Sequence, residues 1–188
     1  MGESGGTIPL PVTVLSGFLG AGKTTLLNRI LSADHGLRLA VIQNEFGSVG
    51  VDHLLVAHHF KGDEQILQMN NGCLCCTVKD DLQPMVETLF MGQSKTGKLD
   101  GIIVETTGLA VPGPVAATFL QGSPSLLTKL DAVITVVDTV NAERHLTTQS
   151  QKNPAAPADD PNEFVQQIAF ADVLLLNKAG LCTEGALR

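Results

Sequence analysis

The sequence predicts an α/β fold in which helices cover both faces of a mainly parallel β-sheet, giving three layers. Short apolar runs, the pattern of strands buried on both faces, alternate with stretches of helical periodicity. The chain has 188 residues, enough for one domain with its own core, and it contains no internal repeat and no domain boundary. Residues 1–188 are therefore predicted to form one domain.

The first half of the chain supplies three predicted strands and two predicted helices. The strands lie at residues 12–15, 39–42 and 66–69. Apolar residues recur at helical spacing in residues 25–32 and 78–90, which are predicted to be helices. Residues 48–63 show little periodicity and are assigned no element.

The second half continues the alternation. Largely apolar runs predict strands at residues 101–104, 132–137 and 172–176. A proline marks the start of a predicted helix at residues 112–120, and another helix is predicted at 163–170. Residues 147–162 are rich in Gln, Asn, Pro, Ala and Asp, which indicates a surface loop.

The turn between the first strand and the first helix matches the phosphate-binding loop pattern. It has two glycines that bracket four residues, followed by Lys and Thr. Such a loop turns backbone N–H groups toward a polyphosphate, and the following helix adds its positive end; the alternative is an ordinary glycine-rich turn. Lys23 is expected to reach the outer phosphates, and the Thr24 hydroxyl to ligate Mg²⁺. The nucleotide-binding residues predicted from this stretch are Gly17, Gly20, Ala21, Gly22, Lys23, Thr24 and Thr25.

Two carboxylates follow predicted strands, at the edge where functional groups gather in an open α/β sheet. Glu105 follows the strand at 101–104, and it is predicted to organise Mg²⁺ while Gly108 approaches the terminal phosphate. Glu45 follows the strand at 39–42, where it either faces the nucleotide or is a surface-loop carboxylate.

Three cysteines, Cys73, Cys75 and Cys76, lie within four residues. Their thiols can converge on one ion if the backbone turns; a fourth ligand would suit Zn²⁺, and two or three thiolates alone would suit Cu(I). Buried free cysteines are the alternative. Cys182, isolated near the end, is expected to be structural or incidental.

The last predicted strand ends in Asn177 and Lys178, as in the Asn-Lys-x-Asp motif that binds guanine. Gly180 stands where that motif has its carboxylate. Losing a paired hydrogen-bonding group costs roughly 1–3 kcal/mol, so guanine preference is expected to be about ten- to a hundredfold weaker than with Asp. An incidental strand end is the alternative interpretation.

Composition excludes several classes of protein. A net charge of −7 disfavours nucleic acid and anionic membranes as partners. The sequence shows no secretory signal and no apolar run of the ~20 residues that a membrane span needs. Clustered cysteines fit a reducing compartment, so a cytoplasmic protein is expected.

Four motifs in this order carry a resemblance to a known family. They are residues 17–25, Asn44-Glu45-Phe46-Gly47, Asn71-Gly72-Cys73-Leu74-Cys75-Cys76 and Glu105-Thr106-Thr107-Gly108-Leu109-Ala110. The sequence resembles the CobW-type branch of the CobW/HypB/UreG metallochaperone GTPases, and within it the zinc-regulated GTPase metalloprotein activators.

The resemblance implies a P-loop GTPase that carries Zn²⁺ to a client metalloprotein, with the nucleotide state setting the metal affinity. It implies zinc ligation by the three cysteines with Glu45, a switch residue, and magnesium ligation by Thr24 and Glu105. The catalytic residues implied are Lys23, Glu45 and Glu105. GTP and GDP, an unidentified client and a second copy in a metal- or nucleotide-dependent dimer are the expected partners.

The sequence departs from the family pattern at Gly180, in an amino-terminal segment without cysteine, and in its length. The nucleotide-binding domain is expected here without the family's C-terminal domain. Two other functions fit the phosphate loop: a kinase of a small molecule or nucleotide, and a non-catalytic metal- or nucleotide-binding module.

Overall fold

The computed structural model describes residues 9–43, 54–58, 65–69, 86–87, 89–90, 98–120, 127–147 and 162–182. Within these ranges there are seven strands: β1 (Leu10–Ser16), β2 (Leu39–Gln43), β3 (Leu54–His58), β4 (Gln65–Met69), β5 (Gly101–Glu105), β6 (Thr128–Asp138) and β7 (Val173–Asn177). The helices are α1 (Lys23–Ser32), α2 (Pro112–Leu120), α3 (Ala142–Thr147) and α4 (Glu163–Ala169), with a 3₁₀ turn at Ala179–Leu181. Residues 86–87 and 89–90 are also helical.

The seven strands form one sheet in the order β4-β3-β2-β5-β1-β6-β7. Neighbours from β2 to β7 pair in parallel, whereas β3 is antiparallel to both β2 and β4. The predicted mainly parallel sheet is confirmed. Because parallel strands end at the same edge, the carboxyl ends of β1, β2, β5, β6 and β7 lie side by side.

Alternate residues of the central strands enter two separate apolar clusters. Val12 and Val14 of β1 pack in one cluster with residues of α2, including Phe119. Leu15 of β1 packs in the other with Leu27 of α1. Helices therefore lie on both faces of the sheet, and the three-layer fold is confirmed.

One described strand and one described α-helix were not predicted from the sequence. β3 lies in the stretch of weak periodicity, where antiparallel pairing with β2 and β4 forms the strand. α3 has no buried residue and so lacks the apolar stripe on which helix prediction depends. β6 extends beyond the predicted 132–137 at both ends.

Parts of two predicted elements lie outside the described residues, namely most of the helix at 78–90 and the loop at 148–161. The longest helix that the structure describes, α1, has ten residues. Among the described helices, none combines the length and the hydrophobicity that a membrane-spanning helix requires.

Candidate functional site

The phosphate-loop motif lies between the carboxyl end of β1 and the start of α1. Gly17 and Gly22 have φ angles of 144° and 100°, a region that L side chains rarely adopt. A Cβ at Gly17 would collide with the backbone carbonyl oxygen of Val136 in β6. A Cβ at Gly22 would collide with the side-chain nitrogen Nδ2 of Asn177. Gly17 therefore requires glycine for conformation and for space, because its neighbour is backbone. At Gly22 the φ angle is the stronger constraint, because the contacting atoms belong to the end of a side chain.

Lys23 is the first residue of α1 and is only 8% exposed. Its Nζ donates to the carbonyl oxygen of Gly17 at 2.6 Å and lies 3.4 Å from that of Phe18. Burial lowers the pKa of the Lys23 ammonium, and the carboxylate of Glu105 opposes that shift. The side chain thus spans the loop and brings its amino group to the loop's first peptides.

Glu105, at the end of β5, has a hydrogen-bond donor on each carboxylate oxygen. Thr24 Oγ1 donates to Oε1 at 2.9 Å, and Gln43 Nε2 donates to Oε2 at 2.7 Å. Gln43 is the last residue of β2 and pairs in register with Glu105. Sequence reasoning gave Gln43 no role, although its place at a strand end was the available signal.

The oxygen atoms of Thr24 and Glu105 are suitable ligands for a magnesium ion. Mg²⁺ prefers oxygen ligands and is commonly bound by one or two protein groups with several waters. The Thr24 hydroxyl and the Glu105 carboxylate provide such oxygens, and the two side chains are already in contact. Glu105 is only 6% exposed, whereas Thr24 is exposed, so the pair lies at the boundary between the core and the surface.

Asn177 and Lys178 contact the phosphate loop from the end of β7. Asn177 Nδ2 donates to the carbonyl oxygen of Ala21, and Lys178 Nζ donates to that of Gly20, both at 2.8 Å. Lys178 Nζ also lies 2.8 Å from Asp138 Oδ2. The structure therefore joins these residues to a loop more than 150 positions earlier in the chain.

Asp138, the last residue of β6, is a further site residue without a predicted role. Burial alone would raise the pKa of its carboxyl group. Hydrogen bonds from Lys178, Asn141 and the Val140 N–H, with the charge of Lys178, outweigh burial and lower that pKa. The carboxylate is thereby held ionised beside the Lys178 ammonium.

Gly180 lies in the 3₁₀ turn after β7. A Cβ built there meets no atom within 4 Å. The described part of the structure thus leaves space for a side chain at this position.

Gly108, in the segment that follows Glu105, packs directly against the phosphate loop. A Cβ on Gly108 would lie 2.8 Å from the backbone nitrogen of Leu19 and closer still to its side chain. The preceding Thr106 N–H donates to the carbonyl oxygen of Leu15 at 2.9 Å. The segment that follows β5 is therefore packed directly against the phosphate loop.

The model of the CobW/HypB/UreG nucleotide-binding domain matches residues 11–188, nearly the whole chain. The chain belongs to the CobW/HypB/UreG family. The resemblance predicted from the four sequence motifs is confirmed.

Individual relatives support the assignment of this chain to the CobW/HypB/UreG family. Zinc-regulated GTPase metalloprotein activator 1 of Dictyostelium discoideum is 40% identical over 198 residues, covering 93% of this chain and 41% of the relative. Zinc chaperone YjiA of Escherichia coli is 38% identical over 185 residues, covering 94% of this chain and 51% of the relative. The chain thus spans about half the length, or less, of these relatives.

A solved structure supports the same fold for this CobW/HypB/UreG chain. The crystal structure of Zn(II)-bound YjiA GTPase from E. coli aligns with a TM-score of 0.65 at 34% identity, covering 94% of this chain and 52% of that one.

The remaining residues to consider in this CobW/HypB/UreG chain are Thr25, Cys182 and the predicted zinc ligands. Thr25 is exposed on α1. Cys182, which was expected to be structural or incidental and was not a predicted site residue, has its Sγ 3.3 Å from Thr139 Oγ1. In the ranges that the structure describes, no three His, Cys, Asp or Glu residues group closely enough to hold a metal ion. The predicted zinc ligands lie outside those ranges: Glu45, Cys73, Cys75 and Cys76.

Proposed function

We propose that this chain binds and hydrolyses GTP at the carboxyl edge of its sheet, and that the bound nucleotide controls the transfer of Zn²⁺ to a client metalloprotein. The observation that carries the proposal is the hydrogen bond between Thr24 and Glu105 beside the phosphate loop. It puts a hydroxyl of the loop's helix against a carboxylate at the end of β5. That is the pair a metal-assisted phosphate site needs.

The phosphates would bind at the loop between Gly17 and Thr24. Its backbone N–H groups, the amino end of α1 and the Lys23 ammonium would all attract negative charge. Thr24 and Glu105 would hold Mg²⁺, which when bound neutralises charge on the outer phosphates. Gln43 would keep the Glu105 carboxylate oriented, because it donates to the oxygen that Thr24 does not use.

GTP is the proposed nucleotide because similar proteins are named as GTPases, including the E. coli structure at 34% identity. Asn177 and Lys178 support the same choice, since they fix the loop after β7 to the phosphate loop. That loop is where an Asn-Lys-x-Asp motif contacts guanine. Gly180 is the reason to expect weaker discrimination against ATP.

Zinc is the proposed cargo, held by Cys73, Cys75 and Cys76 with Glu45. Thiolates are ligands that Zn²⁺ favours, and relatives at 38–40% identity carry names that refer to zinc. A nucleotide can change zinc affinity only if it contacts the zinc-loaded and zinc-free forms differently. We propose that zinc loading and transfer take place in the reducing cytoplasm. A client metalloprotein would receive the zinc, and the chain would form dimers that depend on metal or nucleotide.

Competition binding tests the nucleotide part. A fluorescent GDP analogue bound to the 188-residue chain is displaced by GTP, GDP or ATP, and phosphate release from GTP is followed in parallel. We expect guanine nucleotides to compete best and Lys23→Met to weaken them. Binding of no nucleotide by the unsubstituted chain would contradict the proposal. Transfer of phosphate to an added acceptor, unaffected by serine at the three cysteine positions, would favour a kinase.

A further inference from the structure

The side chain of Gln167 in α4 contacts the segment that follows Glu105. Its Nε2 donates to the carbonyl oxygens of Gly108 and Ala110, each at 3.0 Å. Because both neighbours are acceptors, the NH₂ end of the amide must face the segment. The residue is fully buried, at 0% exposed. One side chain thus fixes two carbonyl groups on either side of Leu109.

The other end of the same amide is unused. Among the residues that the structure describes, Gln167 Oε1 has no hydrogen-bond partner although it is buried. An unpaired buried acceptor is unfavourable for stability. The residue is therefore poorly explained as core packing and better explained by the two bonds that it donates.

Helix α4, which carries Gln167, contacts three other parts of the structure. The carbonyl oxygen of Gln167 accepts a hydrogen bond from Thr135 Oγ1 in β6 at 2.9 Å. Phe164 meets Phe18 of the phosphate loop edge to face, with ring centroids 6.0 Å apart. At the other end of α4, a Cβ on Gly113 in α2 would lie 2.7 Å from the ring of Phe170. The helix thus touches the sheet, the phosphate loop and α2.

We infer that Gln167 is a positioning residue for the terminal phosphate of the nucleotide, acting through the Gly108–Ala110 segment. Gly108 lies directly against Leu19 of the phosphate loop, so a shift of the Gly108 backbone would change that contact. Gln167 holds that backbone through its hydrogen bonds to the carbonyl oxygens of Gly108 and Ala110. The inference rests on the proposed function. It predicts different effects on GTP and GDP, because GDP lacks the γ-phosphate that the segment would face.

The experiment compares dissociation constants for GTPγS and GDP in the full 188-residue chain with Mg²⁺. Gln167→Met keeps the side-chain size and removes both N–H groups that donate to Gly108 and Ala110. Gln167→Glu replaces the NH₂ group with an oxygen that faces those two carbonyl oxygens. Gln166→Glu makes the same chemical change one residue earlier, where the side chain is only half-buried. Thermal unfolding of each variant reports stability separately. Loss of folded protein lowers the amplitude of binding but leaves the ratio of the two constants unchanged.

We expect both Gln167 variants to weaken GTPγS about tenfold, the loss expected from one or two hydrogen bonds, while GDP changes less than twofold. Gln166→Glu should change neither. Equal shifts for both nucleotides, no shift, or Gln167 variants without cooperative unfolding would overturn the inference. An unsubstituted chain that binds neither nucleotide would overturn the proposed function itself, which is a different result.

Discussion

Thr24 Oγ1 donates a 2.9 Å hydrogen bond to Oε1 of Glu105, a residue 81 positions later in the chain. The bond joins the first turn of α1 to the end of β5. It exists because β1 and β5 are parallel neighbours with Leu15 and Glu105 in register, so the loop after β1 passes beside the end of β5. Sheet topology therefore assembles the proposed magnesium ligands.

Glu105→Gln tests the role of the carboxylate. The amide keeps the size of the side chain and one acceptor for Thr24 but removes the charge that would hold Mg²⁺. We expect phosphate release from GTP to fall roughly 100-fold or more, with GDP affinity in the absence of Mg²⁺ unchanged. Asp100→Asn is the matched control, since it removes a carboxylate at the opposite end of β5. Equal activity of Glu105→Gln and the unsubstituted chain would remove Glu105 from the mechanism.

Gly17→Ala tests the close approach of the phosphate loop to β6. The new methyl group would collide with the backbone of Val136, which is paired with Leu175 of β7 in the sheet. We expect a loss of about 2 kcal/mol or more in the free energy of unfolding, measured by urea titration. Gly20→Ala has a positive φ but open space around its Cβ, so it should cost only ~1 kcal/mol. Equal costs at the two positions would show that the contact with Val136 is unimportant.

Gly180→Asp tests the interpretation of the strand end at Asn177 and Lys178. The side chain has room, because a Cβ at this position meets nothing within 4 Å. If the turn lies against the base, the carboxylate should raise the preference for GTP over ATP by roughly ten- to a hundredfold. Gly180→Asn supplies the same shape without charge and serves as the control. An unchanged ratio of GTP to ATP affinity would place the base elsewhere.

His145 predicts a pH dependence of stability. Its ring packs 4.6 Å from that of Phe18, centroid to centroid. Burial, followed by the charge of Arg144, lowers the pKa of His145 below 6.5, and Asp138 opposes that shift. The unfolded chain then binds the proton more readily. The stabilising contribution is therefore complete above pH 6.5 and is lost as pH falls through the lowered pKa.

His145→Gln removes that titration. We expect the difference in unfolding free energy between the unsubstituted chain and the variant to shrink as pH is lowered from 7.5 to about 5. Urea titrations at several pH values measure it. A difference that stays constant, or that grows in acid, would contradict a lowered pKa for His145.

The sequence predicts best those features that are local. The phosphate loop is a contiguous motif, so its residues and the flanking strand and helix were predicted together. Gln43 and Asp138 were given no role because their importance depends on which strands are neighbours. Both end a strand, so the rule for carboxyl ends of parallel strands was the signal available. Gln167 offers no such signal, since a buried amide on a short helix gains its role only from tertiary contacts.

The coupling of nucleotide to zinc is tested most directly by measuring GTPγS affinity with and without stoichiometric Zn²⁺, and Zn²⁺ affinity with GTPγS and with no nucleotide. Thermodynamic linkage requires the two factors to be equal. We expect zinc to change GTPγS affinity in the unsubstituted chain, and to have no effect when Cys73, Cys75 and Cys76 are replaced by Ser. Identical GTPγS affinities with and without zinc in the unsubstituted chain would contradict a nucleotide-controlled zinc carrier.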